Sequence, residues 1–259
     1  MVKEETKDRQ VMEMADAHCH LDLMSDTKAD LPKWLDQGVR TIITNGVDTK
    51  SNVKSVELTD GRHIFAMLGI DPEHALTTEE ELEFNIKMIK HNHSKINGIG
   101  EIGLDYGHVK EKVPIVQQKM VFGRFLDLAA DLRLPVSVHS RNALDDVLQM
   151  IEDRGLDAVH IHFFEGSVQQ AKEIEKKGYM ISVPPLHSSK RSKVIKEVAI
   201  DNIMPESDAP AVGSSPMEVY KSIEIVAEAK RIDLKKAADI LTQNTKKFFR
   251  IKESKLMRY

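Results

Sequence analysis

Ala15-Asp16-Ala17-His18-Cys19-His20-Leu21-Asp22, near the N-terminus, is a short apolar strand that runs into a His-x-His pair. Side chains of an extended chain alternate between faces, so His18 and His20 point the same way. Two imidazoles on one side of a strand end can hold one metal ion. The pair gains meaning only if further ligands arrive at the ends of later strands.

Working outward, β-branched and apolar runs predict strands at Val39–Thr44, His63–Gly69, Ile96–Ile102, Pro135–His139, Asp157–His162, Tyr179–Val183 and Ile203–Glu206. Between them, helical spacing of apolar residues predicts helices at Leu31–Gly38, Lys50–Thr59, Glu79–His93, Pro114–Leu132, Ala143–Asp153, Val168–Lys177 and Ser192–Ala199. Two more, Met217–Arg231 and Leu234–Phe249, follow the last strand. Eight strands alternating with helices, without a Pro/Gly/Ser-rich linker, match the arithmetic of a closed (β/α)8 TIM barrel, expected as one domain over residues 1–259. An open, doubly wound parallel sheet shares this count.

The polar residues favour the barrel, because barrel chemistry collects at the C-terminal ends of strands. Glu101 ends the fourth strand, His139-Ser140-Arg141 the fifth, His160 and His162 the sixth, and Glu206-Ser207-Asp208 the eighth. Taken singly, Glu101 reads as a paired carboxylate, His139 as a core histidine and Asp208 as a cap. Five strand ends agreeing calls for a metal site.

Composition bounds the rest. The 259 residues are 41% hydrophobic, ample for a large core, and carry a formal net charge of −4. No global basic field therefore draws in a polyanion, and any nucleic-acid grip must be local. Two divalent cations would roughly cancel that charge. The single cysteine, Cys19, excludes an intrachain disulfide and fits a reducing compartment, so a cytoplasmic location is expected. Residues 1–13 read as a flexible charged extension without a signal-peptide core, and no run has the length of a membrane span. Nothing points to an obligate protein partner.

The strand-end motifs, in order, resemble the TatD family of metal-dependent hydrolases. Asp-Ala-His-Cys-His-Leu-Asp (16–22) is similar to its opening motif and Ile99-Gly100-Glu101-Ile102-Gly103-Leu104-Asp105-Tyr106 to its second. Leu134-Pro135-Val136-Ser137-Val138-His139-Ser140-Arg141 resembles the third, His162-Phe163-Phe164-Glu165-Gly166-Ser167 the fourth and Glu206-Ser207-Asp208-Ala209-Pro210 the last. The resemblance implies a TIM barrel and a divalent-metal-dependent deoxyribonuclease with DNA as substrate. It implies that His18, His20 and Asp208 bind one ion, that His139 and His162 bind a second, and that Glu101 bridges both. Asp208 would orient the attacking water and accept its proton. Mixed imidazole and carboxylate donors suit Zn2+, Mn2+ or Fe, whereas Mg2+ ordinarily takes more oxygen, so several metals should serve. His160 matches no ligand and reads as a support or packing residue.

The substrate side departs from the family pattern. Gly69-Ile70-Asp71-Pro72-Glu73-His74 has acids where Gly-x-His-Pro-His is usual, with His74 displaced by one residue. Glu165 stands in place of a serine, and Val183-Pro184-Pro185 in place of a glycine-rich segment. Acids beside a phosphate are repulsive. Against that, Lys190 and Arg191 in the loop after strand seven, with Ser140 and Arg141 after strand five, could grip a phosphate backbone, the bland alternative being a solvated helix start. Lys246, Lys247, Arg250 and Lys252 read as a solvated helix face, and Phe248 and Phe249 as packing for the final helix. The competing functions are a barrel hydrolase for a small amide, lactone or ester, and a metal-binding protein without turnover.

Overall fold

Nearly every strand residue is buried, the pattern of parallel strands covered on both faces, and that burial fixes the architecture. The computed structural model describes residues 12–252. The predicted N-terminal extension therefore lies almost wholly outside the described residues.

The chain runs β1 (Met14–Cys19), α1 (Thr27–Asp36), β2 (Val39–Asn45), α2 (Thr49–Leu58), β3 (Ile64–Leu68), α3 (Glu79–Asn92), β4 (Gly98–Asp105) and α4 (Ile115–Leu132). It continues through β5 (Val136–Arg141), α5 (Leu144–Glu152), β6 (Val159–Ile161), α6 (Val168–Lys176), β7 (Met180–Val183) and α7 (Ser189–Glu197). It ends with β8 (Ile203–Pro205), α8 (Val219–Lys230) and α9 (Leu234–Phe248). All eight strands pair in parallel and in chain order. Side chains cap several helices at the end where the strands finish: Asp48 on α2, a Thr78–Glu81 box on α3 and a Ser167–Gln170 box on α6.

The open-sheet alternative is ruled out at the seam between β8 and β1. There the Asp208 N–H donates to the His18 carbonyl at 3.0 Å and the His20 N–H to the Ala209 carbonyl at 2.7 Å. The wholly buried Asp16 carboxylate joins the same edges, accepting from the Ser207 N–H at 2.8 Å and the Ser207 hydroxyl at 2.5 Å. The barrel is closed where the candidate ligands lie.

Inside it, Ala17, Ile43, Phe65, Met67, Met180 and Met204 form a cluster with Phe249, drawn from five strands and the end of the last helix. The outer layer, between strands and helices, is a separate and larger cluster. Two helices begin well before the sequence reading places them. Helix α1 begins four residues early and keeps Pro32 inside it at the loss of one intrahelical hydrogen bond. Helix α7 begins at Ser189 with Ser188 as its cap, which moves Lys190 and Arg191 from a loop into a first turn. Lys246 is not solvated either, since it pairs with Glu13 at 2.6 Å.

Candidate active site

Six side chains from five strand ends converge at one mouth of the barrel. His18 and His20 bring their Nε2 atoms to 3.2 Å from each other, and to 3.3 and 3.4 Å from Oε2 of Glu101. Asp208 Oδ1 lies 3.5 Å from His20 Nε2 and 4.0 Å from His18 Nε2. On the other side, Oε1 of Glu101 lies 2.9 Å from His139 Nδ1 and 3.0 Å from His162 Nε2. Those two nitrogens are 3.2 Å apart. Glu101 thus turns one carboxylate oxygen toward each pair of imidazoles. All six are the residues expected from the sequence; His18 is fully buried, His139 is half-buried and the other four are buried with slight exposure to the mouth.

These separations fit metal ligation. Donors at about 2.1 Å from a tetrahedral ion stand about 3.4 Å from one another. The outward nitrogens fit too. His20 Nδ1 lies 2.9 Å from the Asn45 carbonyl and must donate, leaving Nε2 free as a ligand. His139 Nε2 lies 3.2 Å from Asp105 Oδ2 and donates likewise, leaving Nδ1. His18 Nδ1 meets the Ser137 hydroxyl at 3.3 Å. Only His162 Nδ1 has no hydrogen-bond partner.

Two positions show why the local sequence must be what it is. Gly103, in β4 beside His139, has φ +147°, and a Cβ there would stand 2.1 Å from the His139 carbonyl oxygen. Asp208 itself has φ +47°, a left-handed conformation that aspartate tolerates better than most residues and that aims its carboxylate into the cluster.

Electrostatically, the cluster is an anion lattice filled with imidazoles. Burial opposes charge on His20, but Asp208 and Glu101 overcome it and raise its pKa to about 10. Burial is likewise outweighed at His139 by Asp105 and Glu101, again to about 10. His18 goes the other way, to about 4, through burial and the neighbouring His162. Burial would raise Glu101, but His162, His139 and His18 hold it well below the carboxylate range; Asp208 is lowered against burial by His20, His18 and His162. Without metal, protons on His20 and His139 do the job of cations.

Residues 15–250 match the family model described as TatD related DNase. The chain belongs to that family. A human protein named deoxyribonuclease TATDN3 is 28% identical to it, over 91% of this chain and 94% of its own length. The metal-dependent hydrolase YabD of Bacillus subtilis is 31% identical, over 91% and 98%. Among solved structures, the TatD homologue YJJV of Escherichia coli superposes with a TM-score of 0.86 at 25% identity, covering 93% of this chain and all of that one. The protein is a TatD-type metal-dependent hydrolase of ester bonds, and its His/Asp/Glu cluster fits a divalent metal site. Among the described residues, no helix is long and apolar enough to cross a membrane.

The substrate side of this TatD-family site is a cavity of about 340 Å³ over the cluster. Arg141, Ser140 and His74 line it. His74 is held by Asp71, whose carboxylate accepts from its Nδ1 at 2.7 Å and from its backbone N–H at 2.9 Å. That bond raises the His74 pKa. Burial raises the pKa of Asp71, and the charge of Glu101 adds to it. Ser140 Oγ is buried without a partner on the wall shared with an adjoining cavity of about 540 Å³.

The joint Lys190–Arg191 handle is not what the fold builds. Lys190 is exposed, lines only the adjoining cavity and donates to the Glu165 carbonyl. Arg191 is buried, donates to the Leu186 carbonyl and packs its guanidinium over the Phe163 ring at 5.6 Å. Its place in the first helical turn turns it inward. Conversely, Lys112 and His108, from the loop after β4, line the main cavity and were not singled out. Asp105 was missed as a support, although it lies four residues after Glu101 and therefore on the same strand face.

Proposed function

We propose that this protein is a two-metal phosphodiesterase acting on DNA, with His18, His20 and Asp208 holding one ion, His139 and His162 the other, and Glu101 joining them. The observation that carries the reading is the Glu101 carboxylate, with one oxygen toward each pair of imidazole nitrogens. When bound, a pair of divalent cations supplies an acidified water and neutralises charge on attacking and leaving oxygens. Mg2+, Mn2+ and Zn2+ are the ions to compare; the nitrogen-rich donor set favours the last two.

The chain's own residues do the rest. Asp208, ionised and at the edge of the cavity, orients the water and takes its proton. Asn45 and Asp105 hold the His20 and His139 rings with the correct nitrogen inward. Arg141 and Lys112 offer cations to a phosphate from the cavity wall, Ser140 a hydroxyl, and His74 its free Nε2. Lys190 in the adjoining cavity can meet a second phosphate of the same strand. Arg191 supports this wall from behind.

The reading extends to residues 1–259 as one catalytic unit in a reducing, cytoplasmic compartment, supported by the buried and lone Cys19 thiol, whose pKa burial pushes up.

A second reading, a hydrolase for a small ester, lactone or amide, is favoured by one observation: Asp71, Glu73 and Glu165 line the same cavity and repel a polyanion. Single-stranded DNA, double-stranded DNA, RNA, a simple phosphodiester and a lactone, each assayed with the three metals, separate the two. DNA cleavage that is lost on chelation supports the first reading. Lactone or amide turnover without DNA cleavage replaces it.

A further inference from the structure

Beneath the ligand layer runs a line of buried polar side chains that the ligand assignments leave unused. His18 Nδ1 lies 3.3 Å from Ser137 Oγ, and Ser137 Oγ lies 3.1 Å from His160 Nδ1. His160 Nε2 lies 2.8 Å from Ser182 Oγ, which donates to Glu206 Oε2 at 2.5 Å. Glu206 Oε1 accepts from the Phe163 N–H at 2.9 Å. The line crosses the barrel interior from β1 through β5, β6 and β7 to the end of β8, and every member is fully buried. Gly100 makes room for it, since a Cβ there would stand 2.8 Å from Ser137 Cβ. Below, the Phe248 and Phe249 rings pack edge-to-face with the His160 ring, centroids 6.0 and 6.1 Å away, and close the interior from that side.

The direction of these bonds can be worked out atom by atom. A serine hydroxyl has one proton to give, and a neutral imidazole has one donor and one acceptor nitrogen. A metal on His18 Nε2 requires the ring proton on Nδ1, which then donates to Ser137. Ser137 gives its own proton to His160 Nδ1. That leaves the His160 proton on Nε2, donated to Ser182, and Ser182 donates to Glu206. Each proton is used once and both Glu206 oxygens accept, which requires the Glu206 carboxylate to be ionised in the loaded protein against the burial and the Asp208 charge that raise its pKa. Run in reverse, the line would place a proton on His18 Nε2, in the gap it shares with His20 Nε2 and Glu101.

We propose that Ser137 and His160 are positioning residues, forming a one-way hydrogen-bond line from His18 to Glu206 that locks His18 in the tautomer whose Nε2 lone pair is open to a metal. The proposal rests on the reading of His18 as a ligand through Nε2. A histidine that merely fills the core would need no set direction. Here both of its nitrogens are committed to hydroxyls, and replacing Ser137 by Ala strands one of them in a dry interior.

The test uses Zn2+, which is diamagnetic and suits long-range 1H–15N correlation of histidine rings. In the Zn2+-loaded full chain, His18 should carry its proton on Nδ1 and His160 on Nε2. Ser137→Ala should fold but bind Zn2+ roughly 10–100-fold more weakly in competition with a chromophoric chelator, while Ser137→Thr, which keeps the hydroxyl, should recover most of that loss. His160 protonated on Nδ1, or on both nitrogens, in the loaded protein overturns the proposal. So does a folded Ser137→Ala with unchanged Zn2+ affinity. If Ser137→Ala does not fold, the wild-type tautomers still decide. A wild-type protein that takes up no Zn2+, Mn2+ or Mg2+ instead overturns the metal reading, and this proposal with it.

Discussion

The ligand layer and the cavity rim of this site are built by opposite means. Every ligand side chain leaves a strand or the residues just after one, and three of the four ligand imidazoles are fixed from behind by a carbonyl, a hydroxyl or a carboxylate. The rim is loop. Asp71, Glu73, His74, His108, Lys112 and Glu165 come from segments between strands and helices and set acids against bases around one opening. Strand-borne groups are held by the strand and by buried partners behind them, whereas the rim holds a cation such as Lys112 by an exposed 3.8 Å pairing with Glu73. Chemistry is preorganised here, and substrate choice is left adjustable.

The comparison breaks most severely if the ligand layer can be altered cheaply. Asp208→Asn keeps the shape and an oxygen but cannot take a proton, so turnover should fall roughly 10²–10⁴-fold with the fold intact. Activity within a few-fold of wild type would move the base elsewhere. Glu206 is a poor substitute, being fully buried with both oxygens engaged.

Next in size is the backing of His139. Asp105 Oδ1 caps the Gly107 and His108 N–H groups at 2.7 Å each, so its other oxygen must face His139. Asp105→Asn, with its oxygen kept on those caps, would turn an amide N–H toward His139 Nε2–H, donor against donor. Metal affinity measured by chelator competition should drop roughly 10–100-fold.

Acidity offers a third handle. His20 and His139 have pKa values near 10 in the metal-free fold, raised above the unfolded value of about 6.5. Their contribution to metal-free stability is therefore complete below about pH 6.5 and is lost as pH rises through about 10. Metal ligation needs the same nitrogens deprotonated, so metal affinity should climb over that window, with roughly two protons released per protein loaded at pH 7. Thermal melts against pH, with and without Zn2+, should diverge as pH rises. Parallel curves would contradict the assigned ligand atoms.

The smallest effects belong to the rim. Lys112→Ala and Arg141→Ala should each weaken DNA binding uniformly and reduce the slope of log affinity against log salt by about 1. Arg191→Ala should instead lower the melting temperature and leave that slope unchanged, because its guanidinium is tied to the Leu186 carbonyl and Phe163. A loss of salt dependence on removing Arg191 alone would restore it to the substrate grip.

The same division decides what the sequence made legible. Reading strand ends put His18, His20, Glu101, His139, His162 and Asp208 among the candidates, because strand periodicity and barrel topology fix where such residues point, and the family resemblance separated them from His160 and Glu206. The seam carboxylate Asp16 was visible as a motif residue, but its partner Ser207 lies 191 residues away and pairs only once the barrel closes. His160 was readable as a non-ligand, yet its bonds to Ser137 and Ser182 depend on the register of three strands. Arg191 was misplaced because one extra helical turn at the start of α7 rotates it from the mouth to the interior. Lys112 gave no signal at all, since a cation in an irregular loop points wherever the loop takes it.

The central claim is that Glu101 unites two ions into one hydrolytic centre. Metal-free protein titrated with Mn2+ by calorimetry, with cleavage of a single-stranded oligonucleotide followed in the same samples, tests it most directly. The account predicts two ions per chain, cleavage that rises with the second, and weakened binding of both in Glu101→Ala. One ion at saturation, two undiminished ions in Glu101→Ala, or a fully loaded protein that leaves DNA intact would contradict it.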